Sequence, residues 1–339
     1  MSASYPYSAP MAHAVLHPRP STMPTRHQNG TSFVQHQRIA AQVARLAVRS
    51  LYAELALYPK PGLVSLRDNG SHTDMTAETF LRSLFSLRHY FREMALAGMA
   101  GANFQTLKQG GIRAEQRMLR ATKGINTHRG AIFCLGLLCA ALGACLGQMS
   151  QTPTISVQRI LVQRLSADQV RAALLDMWGE ELVAHSAVAL QDATTAPDHA
   201  LSHGLQVAQQ FAISGAREEA ARAYPSVFAL ALPHLSQRIA AGASTTAAQI
   251  DTLFLLMAHM HDTNVYYRGG AAAATFTRQT AQDFLSAGGT LQHDWFAQAE
   301  ACHHAFVQQR LSPGGAADLF AATWMMHLAQ STSFSVCHA

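Results

Sequence analysis

The stretch Thr122-Lys123-Gly124-Ile125-Asn126-Thr127-His128-Arg129-Gly130 gathers hydroxyls, an amide, an imidazole, two cations and two glycines into one polar turn. The run that follows, from Ala131 to Gly143, carries no charge. A helix that is apolar on every side must be buried on every side. Its first turn presents unpaired backbone N–H groups and the positive end of the helix dipole, which suits an anion. The turn therefore reads either as an anion-facing loop or as an ordinary cap on a core helix. At this point both stand.

Other chemistry-bearing residues recur in the same setting. Ile39, Val43, Leu46, Ala47 and Ser50 repeat at helical spacing, and Glu54 continues that stripe, so a carboxylate sits on an apolar face. The helix stops at Tyr58-Pro59-Lys60-Pro61-Gly62, because a residue before proline is pushed out of the helical region. Lys60 is thereby held on a stiff loop, fit for a phosphate contact or for a rigid turn. Beyond it, Asp74 or Thr76 caps a helix whose stripe is Phe80, Leu84, Leu87, Phe91 and Met94, with His72 beside the cap. Gly110-Gly111 opens a further helix on which Ile112, Glu115, Leu119 and Thr122 share a face, again with an acid on the apolar side.

Later loops repeat the theme with Ser202-His203-Gly204 and with Gly215-Ala216-Arg217-Glu218-Glu219-Ala220, followed by Pro225 and Pro233. Leu253 to Met260 is an apolar helix ending in His261-Asp262-Thr263-Asn264, with Arg268-Gly269-Gly270 shortly after. Ser312-Pro313-Gly314-Gly315 stands at another helix start, where glycines let a ligand approach backbone N–H groups. One such loop is unremarkable. Five of them converging on one cavity would make an active site for a phosphorylated ligand.

The elements that must position these loops are helices. No alternating run of β-branched residues is long enough for a sheet, so the expected fold is all-α, with a buried apolar central helix. Ser166-Ala167-Asp168-Gln169 reads as a capping box opening a scaffold helix through Leu174, Trp178 and Leu182. Residues 1–32, rich in Pro, Ser and His, read as a disordered extension, and 33–335 as one helical domain. Charged residues are 13% and apolar ones 49%, which favours a compact interior. A net charge of +5 permits a polyanionic ligand, yet no dense Lys/Arg run with interleaved aromatics points to nucleic acid.

Gly130 to Gly147 approaches membrane-span length, but its small residues and the lack of a second such segment favour a soluble core helix over a membrane role. Five cysteines, none in a C-x-x-C pair, read as reduced thiols, and with no signal-type apolar region the expected location is cytoplasmic. Cys302-His303-His304 lacks a second pair at ligand spacing for a metal.

Taken in order, these loops resemble the triphosphoribosyl-dephospho-CoA synthase family. The resemblance rests on Glu54 with Pro59-Lys60-Pro61-Gly62-Leu63-Val64, Gly70-Ser71-His72-Thr73-Asp74-Met75, and Ala114-Glu115 through Ala121-Thr122. It continues through Asn126-Thr127-His128-Arg129-Gly130-Ala131-Ile132-Phe133, His203-Gly204, and Gly215-Ala216-Arg217 with Glu219-Ala220. Asp262-Thr263-Asn264 with Arg268-Gly269-Gly270, and Ser312-Pro313-Gly314-Gly315 with Ala317-Asp318-Leu319, complete it. It spans about Ala40 to Leu328. Arg129 stands where the family often has Lys, and Glu218 and Ala223 replace glycines. Ser65 stands where members serving citrate lyase tend to have Asp, which leans toward the malonate decarboxylase branch.

The resemblance implies transfer of the 5-triphosphoribosyl group of ATP to the 2′-hydroxyl of 3′-dephospho-CoA, with release of adenine. The product would be the prosthetic-group precursor of an acyl carrier protein, linking the chain to that protein and to its phosphoribosyl transferase. A homodimer is compatible with it. Such a reaction needs a carboxylate near the oxocarbenium-like C1′, an acid for adenine, a base for the hydroxyl, and cations, glycine loops and Mg²⁺ for the phosphates. The implied proton-transfer and carboxylate groups are Glu54, His72, Asp74, Glu115, His128 and Asp262, with Asp74 and Asp262 as Mg²⁺ ligands. Lys60, Arg129, Arg217 and Arg268 would meet phosphates, with Gly62, Asn126, Thr127, Asn264, Gly269, Ser312, Gly314, Gly315 and Asp318 completing the substrate site. Two rivals remain: an Mg²⁺-dependent ADP-ribosyl hydrolase, with water as acceptor, and a non-catalytic helical module for CoA-like ligands or an acyl carrier protein.

Overall fold

The computed structural model describes residues 26–151, 160–195, 206–207, 210 and 215–337. In chain order its helices are α1 (Arg26–Ala56), α2 (Ala77–Ser86), α3 (Arg88–Met99), α4 (Phe104–Ala121), α5 (Arg129–Gln151), α6 (Ala167–Thr195) and α7 (Ala216–Ala221). A π-helical segment (Ser226–Ala231) leads into α8 (Leu232–Ala240), α9 (Thr245–His259), α10 (Thr263–Ser286), α11 (Trp295–Gln308) and α12 (Gly314–Ser331). The fold is all-α, as composition and periodicity require. Among the described residues the one β feature is an antiparallel pair, β1 (Ile160–Gln163) with β2 (Phe334–Cys337), in register Ile160↔Cys337 to Gln163↔Phe334. Four residues per strand tie two chain segments together without forming a layer.

The uncharged run after Gly130 is α5, packed against α1, α3, α4, α6 and α12. Its 129–148 segment is long and apolar enough to cross a membrane by length and composition, yet 89% of that window is buried inside the fold. Small residues make the burial tight. A Cβ on Gly98 of α3 would stand 1.9 Å from the Ala140 carbonyl oxygen, and one on Gly143 would stand 2.1 Å from that of Ala95. The α3 and α5 backbones therefore touch directly, a separation that a larger side chain on either glycine would force apart. Among the described residues Cys134, Cys139, Cys145 and Cys302 are free thiols.

Several boundaries differ from expectation. Helix α1 begins at Arg26, so residues 26–32, read as part of an extension, are helical, while 1–25 lie outside the described residues. The single helix expected over Phe80–Met94 is two, α2 and α3, meeting at Leu87, and Leu84, Leu87, Phe91 and Met94 still share the core. Thr76, not Asp74, caps α2, in a box with Thr79. Helix α4 starts at Phe104 rather than at Gly110-Gly111, capped by Asn103. Its buried face is Phe104, Leu107, Ala114 and Met118, which leaves Ile112 42% exposed and turns Glu115 out of the core. The expected face was one residue out of phase, because Ile112 was counted as core. The Ser166–Gln169 capping box forms, and Leu174, Trp178 and Leu182 are buried as read. The motif Ser202-His203-Gly204 lies outside the described residues.

Candidate active site

Helix starts and loops from distant parts of the chain enclose a cavity of about 1320 Å³. Glu54, His72, Asp74, Glu115, Asn126, Thr127, His128, Arg129, Arg217, Asn264, Arg268, Ser312, Gly314, Gly315 and Asp318 all line it. The first turns of α5, α10 and α12 face it together, so three positive dipole ends point into one space.

Four residues assigned to the site stand behind its wall instead. Lys60 is fully buried, and its Nζ donates to Glu54 Oε1 at 2.5 Å and to the Glu54 carbonyl at 2.6 Å. Burial pushes the Lys60 ammonium below its usual value, and the Glu54 charge works against that shift. Lys60 thus partners an acid of the cavity wall rather than meeting phosphates. Gly62 adopts φ +64°, and a Cβ there would stand 2.0 Å from the Leu311 carbonyl oxygen, so it closes a turn against the segment before α12.

Asp262, read as a catalytic acid or Mg²⁺ ligand, is buried and caps two helices. One oxygen accepts from Asn264 N at 2.9 Å in α10, and the other from Ala316 N at 2.9 Å in α12. Burial raises its carboxyl, opposed by these backbone N–H groups. Its role is to hold the two helix starts side by side. Gly315 fits because a Cβ would come within 3.1 Å of the Asp262 carboxylate, and Gly314 because one would come within 2.9 Å of Asn264 Nδ2. Gly269 lies inside α10 against Ala273, outside the cavity, next to the kink at Gly270 with φ +66°.

Within the cavity, His128 Nδ1 pairs with Ser83 Oγ at 2.6 Å, while its Nε2 is buried without a protein partner, as is Thr127 Oγ1. Burial, then the Lys60 charge, lowers the imidazole to about 3. His72 Nε2 pairs with Ser312 Oγ at 2.9 Å, and Arg268 Nη2 reaches His72 Nδ1 at 3.2 Å. Burial, then Arg268, lowers His72 to about 4 against the opposing pull of Asp74, which lies 3.7 Å away and is largely exposed. Both imidazoles are neutral near pH 7. Arg268 is anchored by the Arg310 carbonyl at 3.0 Å.

Asn126 Oδ1 accepts from Arg129 N at 3.2 Å, and Arg129 Nε donates to Glu115 Oε1 at 2.8 Å, so Glu115 orients a cation at the start of α5. Arg217 is lowered by burial and then by Arg129, the mark of two cations held close together. Asp318 sits behind Gly130, where a Cβ would lie 2.0 Å from its Oδ2. Burial, then the charges of Glu54 and Asp262, holds its carboxyl well above the usual range against the Ala131 N–H. That favours the protonated form.

The residues do not fit a metal held by protein side chains. No group of three or more His, Cys, Asp and Glu among the described residues is placed for one, and both Asp262 oxygens already accept backbone N–H groups. His303 is likewise occupied, by the Lys60 carbonyl at 2.5 Å and Asp68 at 3.2 Å. Sequence reasoning missed Ser83, and it named Glu219 only within its loop motif, without the Ser226 Oγ that donates to it at 2.7 Å. It also missed an apolar wall built from α4 and α5. The signal for Ser83 was a serine on the buried stripe of α2, and for the wall an isoleucine that the α4 core stripe leaves out.

Residues 40–334 match the family model described as ATP:dephospho-CoA triphosphoribosyl transferase. The chain is 38% identical over 304 residues to a protein of Acinetobacter calcoaceticus named probable 2-(5''-triphosphoribosyl)-3'-dephosphocoenzyme-A synthase, covering 90% of this chain and 96% of that one. It is 40% identical over 285 residues to the 2-(5''-triphosphoribosyl)-3'-dephosphocoenzyme-A synthase of Pectobacterium atrosepticum, covering 82% and 86%. With a probable synthase of the same name from Pseudomonas fluorescens it shares 36% over 298 residues, covering 86% and 93%. No solved structure matches the chain.

Proposed function

The chain belongs to the ATP:dephospho-CoA triphosphoribosyl transferase family and is a transferase, and from that premise we propose that the cavity moves the triphosphoribosyl group of ATP onto the 2′-hydroxyl of 3′-dephospho-CoA. The observation that carries this reading is the meeting of three helix starts with Glu54 and Asp318 in one enclosure. The polyphosphate of ATP is drawn to the positive dipole ends of α5 and α12, with Arg129 and Arg268 as counter-charges. The bond from C1′ to adenine N9 breaks and the bond from C1′ to the acceptor O2′ forms, with the triphosphate carried along intact. The acceptor proton leaves through the enzyme, and adenine departs with one proton gained, so the exchange balances.

Glu54, positioned by its ion pair with Lys60, stabilises the positive charge at C1′. Asp318, held neutral, donates the proton to adenine. His128, with Nδ1–H donated to Ser83 Oγ, presents the Nε2 lone pair to the 2′-hydroxyl, and its low basicity suits a proton that moves late, after C1′ is already cationic. His72 and Ser312 orient Arg268 and the α12 start. Mg²⁺ belongs to the ATP complex as part of the substrate, and no protein ligand to it is assigned. Ser65 supports the malonate decarboxylase branch, where the product would be passed through a phosphoribosyl transferase to an acyl carrier protein.

The test is incubation with ATP and 3′-dephospho-CoA, with free adenine and the mass of the acceptor both followed. The expected result is adenine in equal amount to an acceptor heavier by one triphosphoribosyl group. Adenine formed at the same rate without dephospho-CoA would make water the acceptor, and no adenine under either condition would overturn the transfer reading.

A further inference from the structure

At about 1320 Å³ the cavity exceeds the roughly 300–1000 Å³ that one small ligand occupies, so it has room for two. Its groups are also unevenly distributed. His72, His128, Asp318 and the glycine turns come from the loop before α2 and from the starts of α5 and α12. A second part of the lining is apolar, formed by Phe104, Leu107 and Ile112 of α4 with Phe133 and Leu137 of α5, and Gly111 lies among them. Phe104 and Phe133 flank His185 of α6, at 5.4 and 6.3 Å between ring centroids. Ile112 is 42% exposed although it lies in this wall, an apolar surface that the described fold leaves uncovered.

Charge marks the way in. Lys108 and Arg217 both act on His185, and Arg217 acts in turn with Arg129 at the start of α5. Lys108, Arg217 and Arg129 all line the same cavity as the apolar wall. A ligand matching this lining has an uncharged, flexible chain at one end, a pyrophosphate next and a ribose hydroxyl last. ATP has its charge at one terminus and no such chain. Dephospho-CoA has all three in that order.

Resting on the function proposed above, we infer that the α4–α5 lobe is the subsite for the pantetheine arm of dephospho-CoA, and that Arg217 and Lys108 meet its pyrophosphate. The lobe would sort the two substrates, since each carries an adenosine and that half cannot tell them apart. Apolar burial of the arm then sets which nucleotide offers its 2′-hydroxyl and which offers its C1′.

Gly111 provides a gentle probe. A Cβ there meets nothing closer than Tyr90 Oη at 3.7 Å, and glycine to leucine inside a helix favours the helix, so Gly111→Leu fills the lobe without disturbing the fold. Calorimetric titration of the full chain with three ligands decides the matter, with the melting temperature as a check on folding. The ligands are dephospho-CoA, ATP and the P2-methyl ester of ADP, which keeps the ribose and the pyrophosphate diester but lacks the arm. In the wild type, dephospho-CoA is expected to bind at least about tenfold tighter than the ester, a modest return for several buried methylenes. In Gly111→Leu the two are expected to come within about twofold of each other, while ATP affinity changes by less than about twofold.

The inference is overturned if the ester binds the wild type as tightly as dephospho-CoA, if dephospho-CoA does not bind, or if Gly111→Leu weakens ATP as much as dephospho-CoA. Because binding needs no turnover, a failure of adenine release would count against the proposed reaction while leaving this readout intact.

Discussion

Replacing Lys60 by methionine separates two roles for a buried cation. The ammonium is 0% exposed and 2.5 Å from Glu54 Oε1, and Glu54 is itself 6% exposed. Removing one partner of such a pair leaves the other charge without compensation, which costs about 3–5 kcal/mol. With about 2.1 cal/mol/K of unfolding entropy per residue over 339 residues, that loss lowers the melting temperature by ~4–7 °C. The Glu54 carboxylate is then left without its counter-charge and without the hydrogen bond that positions it toward C1′. Adenine release is expected to fall at least about a hundredfold while the KM for ATP moves less than about threefold, since Lys60 touches no phosphate. The double variant Lys60→Met with Glu54→Gln should recover part of the lost stability and none of the activity. Thermal melting and steady-state adenine release read the two effects separately. A variant that melts within about 1 °C of the wild type but needs about tenfold more ATP would refute the reasoning, because that is the signature of a cation resting on phosphate.

Asp262→Asn should destabilise the chain by about 1–2 kcal/mol through its two helix caps, read by urea denaturation, while Asp74→Asn, at an exposed position, should change kcat/KM less than about threefold. Gly130→Ala drives a methyl into Asp318 Oδ2, 2.0 Å from the ideal Cβ, and should cost about 1–3 kcal/mol together with most of the adenine release. Asp318 is raised in the folded state, so its stabilising contribution is complete below the unfolded value near 3.8 and is lost as pH climbs toward the folded value. Asp318→Asn should therefore melt no lower than the wild type at pH 7, yet release adenine at least about a hundredfold more slowly. His128 is shifted the other way, to about 3 from 6.5, so its contribution is present above 6.5 and lost as pH falls through that window. Melting temperatures of His128→Asn should consequently decline less steeply than those of the wild type between about pH 6.5 and 4.

Much of this was legible in the chain alone. The charge-free run after Gly130 had to be an interior helix, because no surface accepts an apolar cylinder, and α5 is one. The prolines at 59 and 61 had to end α1. The Gly, Asn and Arg of the 126–130 turn and the Gly pair at 314 had to lie at helix starts, and a set of local signals is enough for that, since capping and dipole act within a turn. That several such turns share one family pattern was also readable from their order.

What the sequence left undecided was which side of each helix start a polar residue serves. Lys60 and Asp262 look like site residues by type, yet one neutralises Glu54 from behind and the other joins α10 to α12. Both outcomes depend on partners that are close in space and set only by packing: the carbonyl of Lys60 meets His303, and Asp262 meets Ala316, 54 positions away. That Ser83 would meet His128, and that α4 and α5 would share one apolar wall, depended on packing in the same way. A buried hydrogen bond or an uncovered apolar wall is a relation between elements, and its energy exists only once the chain has brought them together.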